Sequence, residues 1–323
     1  MIPHSKPSIT DDDAERVARV VRSGQLAQGP EVAALERELA ARLRVQDAAA
    51  VASGSAALEL ALGALGVGAG DEVLIASYVC DALYHAVRRV GATPVLVDAD
   101  AATLSLSAKD ALARRTSRTR AVIVPHAFGL AADLEPFQAL EVPVIEDCAQ
   151  ALGAELDDGR PAGSRGALAV CSFYATKMIA AGEGGAVAGP AALARGQLAR
   201  LDAFIARRRA LAARYRTGLA SAPARLPTDA GRRHVYHRFV LGLDCAPDAV
   251  IEALATRGVA ARRPVFRPAH RALGLDGFPE ADRLWAESLS IPCYPALTDD
   301  DAERVLRAVA AVLASAAEGN QSR

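Results

Sequence analysis

A single lysine between an apolar run and a glycine-rich turn is the feature of this sequence that most suggests chemistry. Lys177 follows the apolar residues 168–173 and precedes the turn at residues 182–185. The chain otherwise uses arginine for almost all of its positive charge, and its other lysines are Lys6 and Lys109. A lysine ammonium beside apolar surface loses solvation, which favours the free amine that attacks a carbonyl. Lys177 is therefore a candidate nucleophile, and a surface lysine on a loop is the alternative.

Polar groups at two other segments could serve a bound anion and a cofactor ring. Residues 53–55 join an apolar stretch to a helix, so backbone N–H groups and the Ser55 hydroxyl can approach an anion at the helix N-terminus. An N-cap serine is the alternative interpretation. Asp147 follows a buried strand, where a carboxylate either caps the chain or holds a proton on the ring nitrogen of a cofactor. Ser172, five positions before Lys177, is a second candidate anion ligand.

These three features match the requirements of one cofactor, pyridoxal 5′-phosphate (PLP). PLP needs a lysine for a Schiff base, a carboxylate that keeps the pyridine nitrogen protonated, and a cup for its phosphate. Each feature is weak alone, because lysines, N-cap serines and capping aspartates are common. Their order along the chain, each at the end of a predicted strand, makes a PLP site the favoured interpretation.

The elements that must position these residues alternate along the first two thirds of the chain. Short apolar strands separated by helical segments are typical of an α/β sheet covered on both faces. Ligands bind at the carboxyl ends of the strands in such sheets. We predict strands at residues 48–52, 72–76, 94–97, 121–125, 142–145 and 168–173.

The remaining third has a different pattern and predicts a smaller α+β domain. A long helix from about residue 198 is followed by an alternating strand and by further helices. We expect a large domain at residues 1–197 and a small domain at residues 198–323. Residues 1–30 form a segment that could pack on the small domain. The predicted elements of the small domain are a strand at 235–241, a helix at 247–257, an extended piece at 259–265 and a helix at 299–317.

Two identical octads, at residues 10–17 and 298–305, predict two helix starts. In each copy a threonine in the N-cap position precedes three aspartates, whose charges suit the helix dipole. The copies lie far apart without further similarity around them, so they are one local solution used twice and not a domain repeat.

Composition excludes several classes of partner. The 323-residue chain has 37 basic and 38 acidic residues and a net charge of −1, so no overall field favours nucleic acid or an anionic membrane. The apolar runs are too short to span a bilayer, and the N-terminus lacks the apolar core of a signal peptide. The five scattered cysteines predict neither a disulfide framework nor a metal site. We expect a cytoplasmic protein.

The sequence resembles the DegT/StrS-type sugar aminotransferase family of fold-type I PLP-dependent enzymes. The resemblance covers most of the chain, and it implies a mostly parallel seven-stranded sheet between helices, with a smaller α+β C-terminal domain. It also implies a homodimer with active sites shared between subunits. The motifs that carry it lie at residues 23–30, 53–58, 70–73, 91–94, 146–151, 172–177, 182–185, 236–239 and 289–295.

The resemblance assigns roles to particular residues. It implies Lys177 as the Schiff-base lysine that also shuttles a proton, and Asp147 as the partner of the pyridine nitrogen. Gln150 would bond the phenolic oxygen of the cofactor. The phosphate would be held by residues of the two small-residue motifs: Gly54, Ser55, Ala56 and Ser172.

The chain departs from the family pattern in two places. Where relatives have an aromatic ring that stacks on the pyridine, the matching position is Cys80; Tyr78 and Tyr84 are nearby but out of register. After residue 187 the family has a longer segment that reaches the active site of the partner, whereas this chain passes almost directly from Pro190 to a helical stretch. The shorter connection predicts a wider substrate mouth, puts a nucleotide-sugar substrate in doubt and makes weaker retention of PLP plausible.

Other polar residues are candidates for binding a substrate. His126 and His270 occur where the family has histidines near the substrate, and a structural histidine is the alternative for each. Arg262, Arg263 or Arg267 could bind a substrate carboxylate or phosphate through the planar guanidinium group.

We therefore expect an aminotransferase that moves an amino group from a donor, such as glutamate or glutamine, to a keto-sugar or a related small ketone in a biosynthetic pathway. Retention of Lys177 argues against the sugar dehydratase branch of the family, in which histidine replaces it. Two alternatives remain open: a PLP enzyme of altered chemistry, such as elimination or decarboxylation, and a PLP-binding regulator without turnover.

Overall fold

A parallel β-sheet forms the centre of the N-terminal part of the chain. The computed structural model describes residues 1–186, 201–228 and 234–321. Within these ranges the sheet has five strands in the order β2-β1-β3-β4-β5, all parallel. The predicted α/β class with a parallel sheet is confirmed. The strands are β1 (Glu72–Ala76), β2 (Thr93–Val97), β3 (Thr119–Pro125), β4 (Val144–Asp147) and β5 (Leu168–Val170).

Helices flank the sheet, and several begin at the caps that the sequence predicts. Thr10 caps the first helix through a capping box with Asp13. Ser53 caps the third helix, because its side-chain oxygen accepts the Ala56 N–H. The helices of this part are α1 (Asp11–Ser23), α2 (Pro30–Leu43), α3 (Gly54–Ala64), α4 (Ala82–Arg89) and α5 (Ala108–Arg114).

The C-terminal part is built on a two-stranded antiparallel sheet with helices around it. Thr298 caps its last helix by accepting the N–H of Asp301, as the repeated octad predicts. The elements are α6 (Leu201–Gly218), β6 (Phe239–Gly242), α7 (Pro247–Thr256), α8 (Ala269–Ala272), α9 (Pro279–Glu287), β7 (Ser288–Ile291) and α10 (Asp299–Gln321).

The buried apolar residues form two clusters. One surrounds the parallel sheet and also includes Val265 and Leu284 from the C-terminal part. The other lies among α6, α7, α10 and the antiparallel sheet, and Ile2 belongs to it. The domain boundary expected at residue 197 lies outside the described residues and stays a prediction.

Three predictions about strands need comment. The strand expected at residues 48–52 is wrong: this stretch is irregular, and the Ala50 N–H donates to the Glu36 carboxylate at 2.8 Å. The strand expected at 235–241 begins only at Phe239, because Tyr236 has a positive φ of 50°. A seventh strand would have to involve residues outside the described ranges, since five parallel strands and an antiparallel bridge between Ser172 and Gly185 are all that these ranges contain near the sheet. In the described residues no helix is long and apolar enough to cross a membrane.

A close backbone contact at Gly129 joins the two parts of the chain. Gly129 has a φ of +102°, and a Cβ there would lie 2.7 Å from the His237 nitrogen. The Val235 N–H donates to the Gly129 carbonyl at 2.9 Å. This contact delivers the segment around His237 to the carboxyl ends of the strands.

We expect Gly129→Ala to lower the free energy of unfolding by about 2 kcal/mol or more, because it adds both backbone strain and a clash. Gly63→Ala is the matched control. Gly63 lies exposed in α3, and a Cβ added there would have nothing within 4 Å, so that change is expected to stabilise by about 0.5–1 kcal/mol. Urea denaturation measures both, and equal stability of the two variants would contradict the role of Gly129.

Candidate active site

The carboxyl ends of the parallel strands bring the predicted polar residues to one edge of the sheet. Pro125 pairs with Asp147, and Asp147 pairs with Val170 on the next strand. The N–H of His126, the residue after β3, donates to the Asp147 carbonyl at 3.0 Å. Asp147 therefore stands between the end of β3 and the chain that leads from β5 to Lys177.

The segment that carries Lys177 folds back on itself after β5. The Phe173 N–H donates to Gly184 O at 2.8 Å, and the Ala186 N–H donates to Cys171 O at 2.9 Å. These bonds close a loop in which the Lys177 N–H donates to Tyr174 O at 2.9 Å. The backbone around the lysine is thus held from both sides, while the side chain is half-buried.

Two glycines let this loop pack directly on the start of α3. A Cβ at Gly185 would lie 2.5 Å from the backbone carbon and oxygen of Ser53. A Cβ at Gly54 would lie 3.0 Å from the Ser172 Cβ. Only glycine at these positions allows the lysine loop and the helix N-terminus to meet, so both motifs share one wall.

A cavity of about 220 Å³ lies where these elements meet. Most of the residues that the sequence nominated for catalysis and cofactor binding line it, although they come from five separate stretches of the chain. The nominated residues that line it are Gly54, Ser55, Cys80, His126, Asp147, Gln150, Ser172 and Lys177.

Asp147 is a buried carboxylate that lacks an ion pair in the described part of the chain. One oxygen accepts the Ala149 N–H at 2.9 Å. Burial raises the pKa of Asp147, and the Ala149 N–H and the nearby charge of Lys177 oppose that rise. A cationic group beside Asp147 in the cavity would favour the carboxylate form. The site thus suits a protonated ring nitrogen.

Gln150 is oriented by a backbone contact. Its Oε1 accepts the Phe128 N–H at 3.0 Å. Because the oxygen is already used as an acceptor, the Nε2 group is the one left to donate into the cavity. This orientation agrees with a bond to an acceptor such as a phenolic oxygen.

The start of α3 offers an anion fewer N–H groups than the sequence suggested. Ala56 was expected to bind phosphate through its backbone, but its N–H donates to the Ser53 hydroxyl at 3.1 Å, and Ala56 does not line the cavity. Ser53 is the N-cap residue, so Ser55 is not occupied by capping. Gly54 and Ser55 are left to face an anion, with Ser172 opposite them.

His126 has a structural role that limits its contact with a substrate. Its ring is fully buried, Nε2 donates to the Glu146 carboxylate at 2.8 Å, and Nδ1 accepts the Ala132 N–H at 2.9 Å. With both nitrogens used, His126 can present only the face of its ring to the cavity.

Glu146 organises this region from beneath. Besides His126, its carboxylate accepts the backbone N–H groups of Gly163, Arg165 and Gly166 at 2.6–2.7 Å. Burial opposes ionisation, but the hydrogen bonds from His126 and from the backbone outweigh it and lower the pKa of Glu146. No motif in the sequence marked Glu146 for this role, because its partners lie 17 to 20 residues further along the chain.

Two further cavity residues were not nominated from the sequence, and two nominated ones lie elsewhere. Tyr174 and Glu183 line the cavity from within the lysine loop. Arg267 and His270 line a separate, larger cavity. His270 is buried there and contacts Asp282 at 3.1 Å.

His237 is a further residue that the sequence did not nominate. Its Nε2–H donates to the carbonyl of Thr176, the residue before Lys177, at 3.0 Å. Burial, followed by the charges of Arg238 and Lys177, lowers the pKa of His237 well below its ordinary value, so the ring is neutral. His237 thereby fixes the lysine loop from the C-terminal part of the chain.

The fold is that of PLP-dependent aminotransferases. The aminotransferase TlmJ from Streptoalloteichus hindustanus superposes with a TM-score of 0.92 at 30% identity, covering 98% of this chain and 100% of that chain. DesV from S. venezuelae superposes with a TM-score of 0.87 at 32% identity over 93% of each chain. The PLP form of Spr1654 from Streptococcus pneumoniae, at 23% identity, shares the fold with a TM-score of 0.92 over 97% of this chain and 99% of its own.

A family model locates the chain more closely. The model of the DegT/DnrJ/EryC1/StrS aminotransferase family matches residues 7–190 and 188–310. The chain belongs to this family and is a PLP-dependent aminotransferase. The predicted resemblance is thereby confirmed. The two matched stretches meet at residues 188–190, where the sequence predicts a shortened segment; that segment lies outside the described residues.

We expect Glu146→Gln to lower the free energy of unfolding at pH 7 by about 2–4 kcal/mol, because an amide cannot accept from all the donors that surround Glu146. The lowered pKa means that the native carboxylate stabilises the fold above the ordinary glutamate pKa of 4.5 and loses this effect as the pH falls through the lowered value. The difference between wild type and variant should therefore shrink on acidification.

Urea denaturation between pH 7 and pH 3 measures this difference. Glu135→Gln is the control, since Glu135 is an exposed partner of Arg165. A difference between wild type and Glu146→Gln that stays constant with pH would contradict the assigned role.

Proposed function

We propose that this aminotransferase binds PLP in the cavity of about 220 Å³, with Lys177 as the residue that links it to the protein. The observation that carries the proposal is the convergence of Lys177, Asp147 and the glycine-lined start of α3 on one small cavity. These groups supply an amine, an unpaired buried carboxylate and an anion cradle, and PLP requires all three.

The phosphate of the cofactor would lie at the start of α3. The N–H groups of Gly54 and Ser55 and the hydroxyls of Ser55 and Ser172 would donate to it, and the helix dipole adds a favourable potential. The absence of side chains at Gly54 and Gly185 leaves room for this approach. Cys80 would face the ring where relatives have an aromatic side chain, so stacking contributes less to retention of PLP.

When bound, PLP supplies an electron sink that stabilises negative charge developing at the α-carbon of the amino donor. Asp147 would hold the proton on its ring nitrogen, and Gln150 would donate to its phenolic oxygen. The Lys177 amine, displaced by the donor, would then hold and move the proton of the donor α-carbon. His237 keeps Lys177 in place through the Thr176 carbonyl.

The reaction that we infer transfers an amino group from glutamate or glutamine to a keto-sugar or a related small ketone. The family and the aminotransferases TlmJ and DesV support this choice of reaction class. We further propose that the enzyme is a cytoplasmic homodimer with active sites shared between subunits. His126 would form part of the substrate wall through its ring face.

We expect the purified enzyme to show the visible absorbance of lysine-linked PLP and Lys177→Ala to lose it, because no other amine replaces the Schiff base. Lys109→Ala, an exposed change on α5, should keep the band. Glutamate or glutamine should bleach the band of the wild type. An unchanged spectrum in Lys177→Ala would disprove the lysine assignment, and failure of every amino donor to bleach the band would favour elimination, decarboxylation or a regulatory role.

We expect Asp147→Asn to slow the bleaching by glutamate about 100-fold or more, since a neutral amide no longer holds the proton on the ring nitrogen. Stopped-flow absorbance measures the rate. Asp81→Asn, an exposed change next to Cys80, is the control and should react at the wild-type rate. A normal rate in Asp147→Asn would place the ring nitrogen elsewhere.

A further inference from the structure

A second cavity, of about 910 Å³, is lined by an unusual number of arginines. We call it the arginine cavity. Two of its arginines are neutralised within the protein: Arg263 pairs with Asp248, and Arg271 pairs with Asp282. Both guanidinium groups also lie over the Trp285 ring, 4.3 Å from its centroid. These pairs form a fixed wall. The other arginines that line the cavity are Arg238, Arg262 and Arg267.

These three remaining arginines have no carboxylate partner in the described part of the chain. Arg267 donates to the Arg271 carbonyl at 3.0 Å, and the Arg262 side chain is exposed. The unpaired carboxylate that lines the same cavity is the exposed Asp276. The cavity therefore has an excess of positive charge that the protein itself does not balance.

Arg238 shows the imbalance most clearly, because it is partly buried. Burial, followed by the charges of Arg262 and Arg208, lowers its pKa to about 10. Its Nε is buried and unpartnered, and its Nη1 lies 3.1 Å from Nε2 of His4. Burial, followed by the charges of Arg238 and Arg262, lowers the pKa of His4 to about 3, so this ring is neutral and supplies no counter-charge. An uncompensated buried cation is unfavourable, and an anion beside it would relieve that.

Short connections join the arginine cavity to the lysine cavity. Arg238 follows His237, whose ring binds the carbonyl next to Lys177. On the other side, the Ala269 N–H donates to Ser77 O at 3.0 Å, at the end of β1 and three residues before Cys80. The same elements therefore support both cavities, and a ligand that reaches Lys177 has the unpaired arginines close by.

We propose that the arginine cavity binds an oxyanion group of the keto acceptor, a phosphate ester or a carboxylate, through Arg238 and Arg262, with Arg267 at the rim. This rests on the proposed aminotransferase function. The size of the cavity fits a bulky acceptor better than a small amino donor. Phe266, whose side chain is 95% exposed at the cavity, offers an apolar surface for the rest of that molecule.

The first test is calorimetric titration of the PLP-loaded enzyme with inorganic pyrophosphate and, separately, with succinate. Because PLP occupies its own phosphate cup, the heat reports a second anion site. Arg262→Gln should raise the Kd of the binding probe about tenfold or more, since a charge-assisted hydrogen bond is lost. Binding of pyrophosphate alone assigns a phosphate ester, and binding of succinate alone assigns a carboxylate. Equal affinity of wild type and variant, or binding of neither probe, overturns the proposal.

Arg271→Gln is the matched control, because Arg271 lines the same cavity but is already paired with Asp282; its Kd for the probe should equal that of the wild type. Arg262→Lys keeps the charge and the backbone pairing with Ser290, so it guards against misfolding of the glutamine variant. It should bind more tightly than Arg262→Gln, and affinity as low as that of the glutamine variant contradicts a charge-based site.

The second test separates donor from acceptor. Bleaching of the cofactor band by glutamate reports the donor half-reaction alone, and Arg262→Gln should retain it. A loss there as large as the loss of probe binding would assign the anion to the donor carboxylate and overturn the acceptor assignment. If the wild type fails to react with any donor while pyrophosphate or succinate still binds at Arg262, the aminotransfer proposal fails and the anion site stands.

Discussion

The contact between residue 185 and the backbone at Ser53 is the constraint on which the candidate active site depends. Because neither Gly185 nor Gly54 has a side chain, the returning strand of the lysine loop lies against the first turn of α3. One contact thereby sets the distance between the lysine, the Ser172 hydroxyl and the N–H groups of the helix start. A cavity of the right size for a phosphorylated pyridine follows from backbone packing, before any catalytic side chain is considered.

Buried polar groups hold the rest of the cavity wall. Glu146 ties His126 to the loop at residues 163–166, and His237 ties the lysine loop to the C-terminal part of the chain. Each of these groups gains its partners from a different element. In a low-dielectric interior such satisfied networks resist displacement, which keeps the cavity rigid while Lys177 stays free to move.

Much of the fold and the site could be predicted from local sequence, and the failures have physical causes. Apolar runs bounded by polar residues predicted five strands of the sheet, and the Thr10 and Thr298 octads predicted helix starts. Residues 48–52 are apolar too, yet they form no strand, because pairing depends on neighbours that periodicity does not reveal. Ala56 was assigned to phosphate from its motif, whereas its N–H serves the Ser53 cap. Competition between local hydrogen bonds decides such cases.

The sequence by itself determined the chemistry: a lysine in a glycine-bounded loop, a carboxylate at a strand end and a family pattern that runs through most of the chain. The tertiary structure alone decided which polar groups are already satisfied. It committed both nitrogens of His126 to the protein, placed Arg267 and His270 in a second cavity, and left Arg238 without a counter-charge. Ion pairing and burial depend on residues distant in the chain, so no local pattern could have separated the paired arginines from the unpaired ones.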